Sequence, residues 1–193
     1  MLDNLKKYTI FLASGSPRRR QLLADLGIDF EVRCLNDINE SYPDDMPADD
    51  VAEYISQKKA AAYKGQITGN ELYITADTVV VCDGRVLGKP ADRNEAVAML
   101  RRLSGNVHHV VTGVTVVTKC RSVSFSVATE VSFARLTDEE INFYVDNFKP
   151  LDKAGAYGIQ EWIGFVGVES ISGSYFNVMG LPVQRLYQEL KRL

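Results

Sequence analysis

The sequence predicts a single α/β domain built on a mixed sheet, and three observations carry that expectation. Apolar runs of strand length alternate with segments whose apolar residues recur at helical spacing. Two pairs of strand-like runs are joined by short polar turns, the mark of antiparallel hairpins. Another run passes through a brief polar turn directly into a helix, as parallel units do.

The elements follow in order. Tyr8–Ala13 is an apolar run that reads as a buried strand. It stops at Ser14-Gly15-Ser16, and Pro17 then places an N-cap serine ahead of a first-turn proline. Leu22, Leu23 and Leu26 form one helical face, with Gly27 as its stop. Ser41–Pro47 reads as a loop, after which Asp49 or Asp50 can cap a second helix striped by Val51, Tyr54, Ile55 and Ala62, with Lys59 at its edge. Leu72–Ala76 and Val79–Cys82 are strand-like and are interrupted by Asp77-Thr78; Asp83-Gly84 then turns the chain back through Arg85–Leu87. Asp92 with Glu95 forms a capping box for a helix that turns Ala96, Met99, Leu100 and Leu103 inward and ends at Gly105. His109–Thr118 and Val123–Phe133 form a second hairpin, and Thr137 with Glu140 caps a helix whose inner face is Ile141, Tyr144, Val145 and Phe148. A strand is expected around Phe165–Ile171, and Pro182 opens a last helix with Val183, Leu186 and Leu190 inward.

At 193 residues the chain suits one domain, 1–193, or two small intimate lobes. Hydrophobic residues make up 46% and charged residues 24%, which excludes a disordered chain, a collagen or a disulfide scaffold. With 22 Lys and Arg against 25 Asp and Glu, the net charge of −3 argues against a nucleic-acid coat or a membrane-surface protein. It leaves room for a small anion held by local cations. No apolar run approaches the roughly 20 residues that span a bilayer, and Met1-Leu2-Asp3-Asn4 has no basic leader region, so no signal peptide is expected. Cys34, Cys82 and Cys120 are far apart, without a C-x-x-C pair, which fits a reducing cytoplasm.

Three places could carry chemistry. Ser14-Gly15-Ser16-Pro17-Arg18-Arg19 sets hydroxyls, a flexible backbone and guanidinium forks at a helix N-terminus, where unpaired N–H groups favour an anion. Cations oppose the dipole there, so three consecutive arginines (Arg18, Arg19, Arg20) ask for a compensating phosphate; the alternative is a plain cap with solvated arginines. Asp77 interrupts an otherwise apolar run, either as a general base or metal ligand at a strand end, or as a turn-capping residue with Thr78. Glu40 could add a second oxygen ligand. Lys59, Lys89 and Lys153 are cations that a polyphosphate site would need to gather, although each alone suits a solvated surface. Adjacent His108 and His109 do not have metal-ligand spacing on a strand, and no role is assigned to them. The Rossmann, P-loop, α/β-hydrolase and zincin motifs are absent.

Taken together, Ala13-Ser14-Gly15-Ser16-Pro17-Arg18-Arg19, Ala76-Asp77-Thr78-Val79-Val80, Gly88-Lys89-Pro90, Asp152–Gln160 and Gly173-Ser174-Tyr175 with Gly180-Leu181-Pro182 resemble the Maf family of nucleoside triphosphate pyrophosphatases. The resemblance runs in order from about Tyr8 to the C-terminus, and Lys153–Gln160 is similar to the dTTP/UTP subgroup. It implies the fold shared with inosine triphosphate pyrophosphatases, an elongated mixed sheet flanked by helices around a central cleft, and a homodimer. It further implies Asp77 as proton acceptor and metal ligand, with Lys59 and Lys89 beside it in catalysis. Ser14 and Arg19 then fall on the phosphate side, Glu40 on a Mg²⁺ or Mn²⁺ ion, and Arg18, Thr78 and Gln160 at specificity positions. Lys153 joins the substrate-binding set, and Trp162 stands where relatives commonly have a small residue. The expected reaction is hydrolysis of dTTP or UTP to the monophosphate and pyrophosphate. The rival readings are a 7-methyl-GTP or other modified-nucleotide pyrophosphatase and a nucleotide-binding regulator of cell division.

Overall fold

A computed structural model describes residues 2–36 and 38–193; Met1, read above for a leader, and Asp37, in the segment around Glu40, lie outside the described residues. The strands are β1 (Thr9–Leu12), β2 (Glu31–Val32), β3 (Glu71–Cys82), β4 (Arg85–Leu87), β5 (Val107–Val117), β6 (Ser122–Phe133) and β7 (Val168–Ser172). The helices are α1 (Pro17–Asp25), α2 (Val51–Lys64), α3 (Arg93–Leu103), α4 (Asp138–Phe148), α5 (Trp162–Gly167), α6 (Tyr175–Val178) and α7 (Val183–Lys191). One seven-stranded sheet runs β2-β1-β3-β5-β6-β7, with β4 also paired to β3. β1 is parallel to β2 and β3, whereas β4 is antiparallel to β3 and β7 to β6, so the sheet is mixed as expected. Asp83 (φ 52°) and Gly84 (φ 71°) supply the two positive φ values that a two-residue hairpin needs.

The chain divides into two compact units: Met1–Asp77 with Thr112–Val127 and Gly180–Leu193, and Thr78–Val111 with Ala128–Met179. In the first unit, Ser16 caps α1 by accepting the Arg19 N–H, Pro17 opens the helix, and Leu22 and Leu23 are buried. The inward face of α2 is Val51, Ala52, Ile55, Ser56, Ala60 and Tyr63, rotated from the expected stripe, so that Ala62 is exposed. Asp50 makes no side-chain cap, because the 3-10 turn Ala48–Asp50 already holds it in helical backbone geometry (φ −90°, ψ −17°), where a cap would be extended. Hydroxyls seat α2 on the sheet: Thr75 Oγ1 donates to the Ser56 carbonyl (2.7 Å), and Ser56 Oγ meets Thr115 Oγ1 (2.8 Å). A Cβ on Gly113 would lie 2.3 Å from the Ala52 carbonyl carbon and the Glu53 nitrogen, so only glycine lets the backbones come this close. Tyr63 of α2 stacks on Tyr73 of β3, which stacks on Phe11 of β1, with ring centroids 4.8 and 4.9 Å apart.

In the second unit, α3 and α4 share a core of Ala96, Leu100, Leu103, Ile141, Tyr144 and Val145. Thr137 and Glu140 form the expected reciprocal capping box. At α3, Asp92 caps the Glu95 N–H, but the Glu95 carboxylate reaches the Ala91 N–H (2.6 Å), one residue earlier than a capping box requires. His108 is buried, and its Nε2 bonds the Tyr157 hydroxyl (2.8 Å), while its Nδ1 is buried without a partner. Burial lowers its pKa to about 4.

Two expectations are corrected. Asp77-Thr78 does not divide β3; ladder bonds belong to the backbone, and a half-buried polar pair inside the strand leaves them intact. Phe165–Gly167 is helical and belongs to α5, the strand starting only at Val168. Short apolar runs suit either period, and here Ile163 and Gly167 turn inward while Phe165 is 79% exposed. Helix α6 and the two-residue β2 have no counterpart in the sequence reading; both are too short to establish a period.

Gly113→Ala is expected to cost about 2 kcal/mol or more, because the added methyl overlaps backbone that has no rotamer to change. Urea unfolding measures it, and a variant as stable as the parent would show that α2 is not seated on Gly113. A second expectation concerns pH. With its folded pKa below the ordinary 6.5, His108 refuses a proton that the unfolded chain accepts, so stability falls as pH drops from about 6.5 to 4 and is unaffected by this group above that window. The loss is on the order of 3 kcal/mol. His108→Gln should flatten the pH dependence of unfolding; an equally steep variant would remove His108 as its source.

Candidate active site

The first unit gathers charge around Asp77. β3 carries Asp77 and α2 carries Lys59, whose Nζ lies 2.7 Å from Asp77 Oδ1 and 3.0 Å from Glu40 Oε1. The Lys59 and Asp77 side chains are only 13% and 15% exposed, so that pair lies largely out of water, while the same ammonium also meets the half-exposed Glu40. Adjacent Lys58 is directed elsewhere, its Nζ donating to the Ser41 carbonyl (2.6 Å) and so holding the loop just beyond Glu40. Arg19 turns inward from α1, donating to the carbonyls of Gly180 (2.7 Å) and Ala76 (3.0 Å) and to Ser14 Oγ (3.3 Å). Burial lowers the Arg19 pKa, Asp77 and Glu40 oppose that shift, and Arg18 adds to it, which puts these four charges in one electrostatic neighbourhood. Ser14 Oγ also accepts the Ser16 N–H (3.3 Å). Arg18 is half-buried and Arg20 exposed, so the three arginines divide into distinct environments.

The second unit carries Thr78, Lys89, Lys153 and Gln160. Lys89 is exposed just beyond β4. The preceding Gly88 carbonyl accepts the N–H of Gly155 (3.0 Å), whose positive φ of 65° and close approach to Val80 both require glycine. Gln160 is half-buried, and its Oε1 is fully buried without a hydrogen-bond donor. Lys153 is buried and paired with Asp152 (2.8 Å) and Glu161 (3.0 Å). Trp162 opens α5 and packs edge-on to Phe143, with ring centroids 4.9 Å apart. Of the histidines, only His108 is buried; His109 is exposed, 3.7 Å from Glu130.

The structure thus brings Ser14, Arg19, Glu40, Lys59 and Asp77 together, with Arg18 close enough to shift Arg19. The reading of the sequence missed Glu161 and Tyr144. Glu161 accepts from both Lys153 and the Tyr144 hydroxyl. The one available signal was an acidic residue directly after Gln160 in an apolar context.

Among the described residues no cluster of three or more His, Cys, Asp and Glu side chains could hold a metal. Glu40 and Asp77 nevertheless meet on one cation and offer hard oxygen donors. Two carboxylates are what a Mg²⁺-type ion takes from a protein when substrate phosphates and water complete its shell.

The sequence matches the Maf-like protein family over residues 9–193. A curated relative from Parabacteroides distasonis, named dTTP/UTP pyrophosphatase, is 61% identical over 191 residues, covering 99% of each chain. One of the same name from Phocaeicola vulgatus is 58% identical over 193 residues, covering 100% of each. Among solved structures, a HAM1 protein from Coxiella burnetii is 13% identical with a TM-score of 0.49, the match covering 96% of this chain and 100% of that one. The motifs at Ser14–Arg19, Asp77 and Gln160 therefore sit in a chain that belongs to the Maf-like protein family.

Proposed function

We propose that this chain hydrolyses dTTP and UTP to the nucleoside monophosphate and pyrophosphate, with residues 1–193 acting as a single functional domain. The observation that carries the reading is Asp77, a carboxylate set inside a strand, paired at 2.7 Å by Lys59 and sharing that ammonium with Glu40. The name borne by relatives at 58–61% identity supports the substrate pair.

In this reading a water oxygen attacks the α-phosphorus, its proton passes to Asp77, and the α–β anhydride bond breaks with pyrophosphate as leaving group. Lys59 holds Asp77 through Oδ1, which assigns Oδ2 to the water. Ser14, Arg18, Arg19 and Lys89 bind the phosphates and stabilise charge that grows on the departing group. Arg19 suits this because its carbonyl partners fix the guanidinium before substrate arrives. Glu40 and Asp77 would hold a divalent ion, Mg²⁺ or Mn²⁺, which when bound offsets phosphate charge. Gln160 and Thr78 face the base. An amide offers one donor and one acceptor to the N3–H and O4 of uracil or thymine, whereas cytosine presents an acceptor at N3 and a donor at its exocyclic amine, so an amide held in one orientation tells them apart; the orphaned Gln160 Oε1 supports that assignment. Lys153, which the resemblance implies as a substrate-binding residue, is buried against Asp152 and Glu161. A homodimer in the cytoplasm belongs to the same proposal; the location is supported by three free cysteines, two of them exposed, and neither nucleic acid nor membrane has a part in it.

Pyrophosphate release from dTTP, UTP, CTP, dATP, GTP and 7-methyl-GTP, with Mg²⁺ or Mn²⁺ and with chelator, tests the reading. Turnover that strongly prefers dTTP and UTP, leaves CTP a poor substrate and is abolished by chelator is expected. Turnover of 7-methyl-GTP would overturn the specificity, and nucleotide binding without turnover would indicate a regulator. Asp77→Asn should lower kcat about 100-fold or more while nucleotide still binds; wild-type kcat in that variant would remove Asp77 as proton acceptor.

A further inference from the structure

The segment Lys153–Glu161 of the second unit is tied end to end. Lys153 at its start and Glu161 at its end form an ion pair of 3.0 Å, with the lysine side chain only 8% exposed. The Tyr144 hydroxyl, from α4, donates to Glu161 Oε2 and accepts the Gly158 N–H (3.0 Å). The Glu161 N–H returns to the Gly158 carbonyl (2.9 Å). A Cβ on Gly158 would lie 2.9 Å from Glu161 Cδ and 3.0 Å from Lys153 Cε, so the ion pair lies directly against this backbone. Midway, Tyr157 is anchored on His108. Gln160, with its orphaned Oε1, is the residue immediately before the clasp closes.

We propose that Lys153 and Glu161, completed by Tyr144, are positioning residues that set the Gln160 amide and thereby determine base discrimination, and that Lys153 is not a phosphate cation. This rests on the reading that Gln160 recognises the base. Lys153 already faces two carboxylates, Asp152 and Glu161, so a third anion has no demand to meet there. Removing one partner leaves the other charge buried and loosens the ionic tie between the ends of the segment. Gln160 then loses orientation, which affects the base it pairs with and not the phosphates.

The test measures kcat and KM for UTP and CTP in Lys153→Met, Glu161→Gln, the exchanged pair Lys153→Glu with Glu161→Lys, and Gln160→Ala, with thermal unfolding to confirm that each variant folds. Glu161→Gln keeps an acceptor for Tyr144 and removes only the charge, so it is informative even if Lys153→Met does not fold. Lys153→Met and Glu161→Gln should each lower the UTP:CTP ratio of kcat/KM about tenfold, chiefly through KM. The exchanged pair should recover part of that ratio, since it keeps the ionic tie, Asp152 is 60% exposed and can turn to water, and the Tyr144 hydroxyl, left without its acceptor at 161, can accept from the ammonium placed there. An exchanged pair no better than the singles overturns the proposal. So does Lys153→Met raising KM equally for both nucleotides with the ratio intact, which is the signature of a phosphate contact. If Gln160→Ala itself leaves the ratio unchanged, the base-reading assignment fails; if it lowers the ratio while the clasp variants do not, only the clasp fails.

Discussion

A carboxylate withdrawn from water destabilises the strand that carries it unless a partner makes up the lost hydration, and the Lys59–Asp77 pair is how this fold meets that constraint. The pair lies at 2.7 Å with both side chains mostly buried, a geometry in which the mutual attraction must offset the desolvation of two ions. Geometry therefore has to be held tightly, and much of the first unit serves that end. Gly113 admits the backbone of α2 against β5, the Ser56 and Thr115 hydroxyls fix its height, and the stacked rings of Tyr63, Tyr73 and Phe11 run from it to β3 and β1. Arg19 secures the remaining side by joining the Ala76 carbonyl, one residue before Asp77, to the Gly180 carbonyl. That bond gives the Gly180-Leu181-Pro182 stretch a physical reason to travel with the arginine motif in this sequence.

The features that were legible from sequence are those whose chemistry is complete within three or four residues. Ser16 before Pro17, Asp83-Gly84 and the Thr137/Glu140 box each carry their own donors, acceptors or permitted φ, and each forms as read. Where a neighbouring element decides, the local signal fails. Asp50 looks like a cap until the preceding 3-10 turn takes its backbone into helical geometry. Asp77 looks like a strand break because composition shows the cost of a polar residue and not the ammonium that meets it, 18 residues earlier in the chain. The stripe on α2 is rotated because Gly113 and Thr115, remote in sequence, choose which face can approach. Within the candidate site the residue types were legible and their partners were not: the stripe sets Lys59 at its edge but does not show that it meets two carboxylates while adjacent Lys58 binds a backbone carbonyl.

The same distinction decides what each cation can do. A carbonyl is a neutral acceptor, so the bonds from Arg19 to Ala76 and Gly180 fix the guanidinium plane without cancelling charge, and a fixed positive group needs no reorganisation when a phosphate arrives. A carboxylate at 3 Å does cancel charge, and Lys153 has two such neighbours. In a chain of net charge −3 an attractive field for a polyphosphate cannot come from overall composition. It has to come from cations whose partners orient them without neutralising them. By that criterion Arg19 is suited to phosphate and Lys153 to holding a loop, although sequence alone presents both simply as basic residues beside glycine-containing turns. Lys59 lies between these cases, since the two carboxylates it pairs are the ones with the oxygen donors to accept a competing divalent cation. In the proposed reaction its charge is thus committed or available according to whether those carboxylates hold a divalent ion, which would link the electrostatics around Arg19 to that ion.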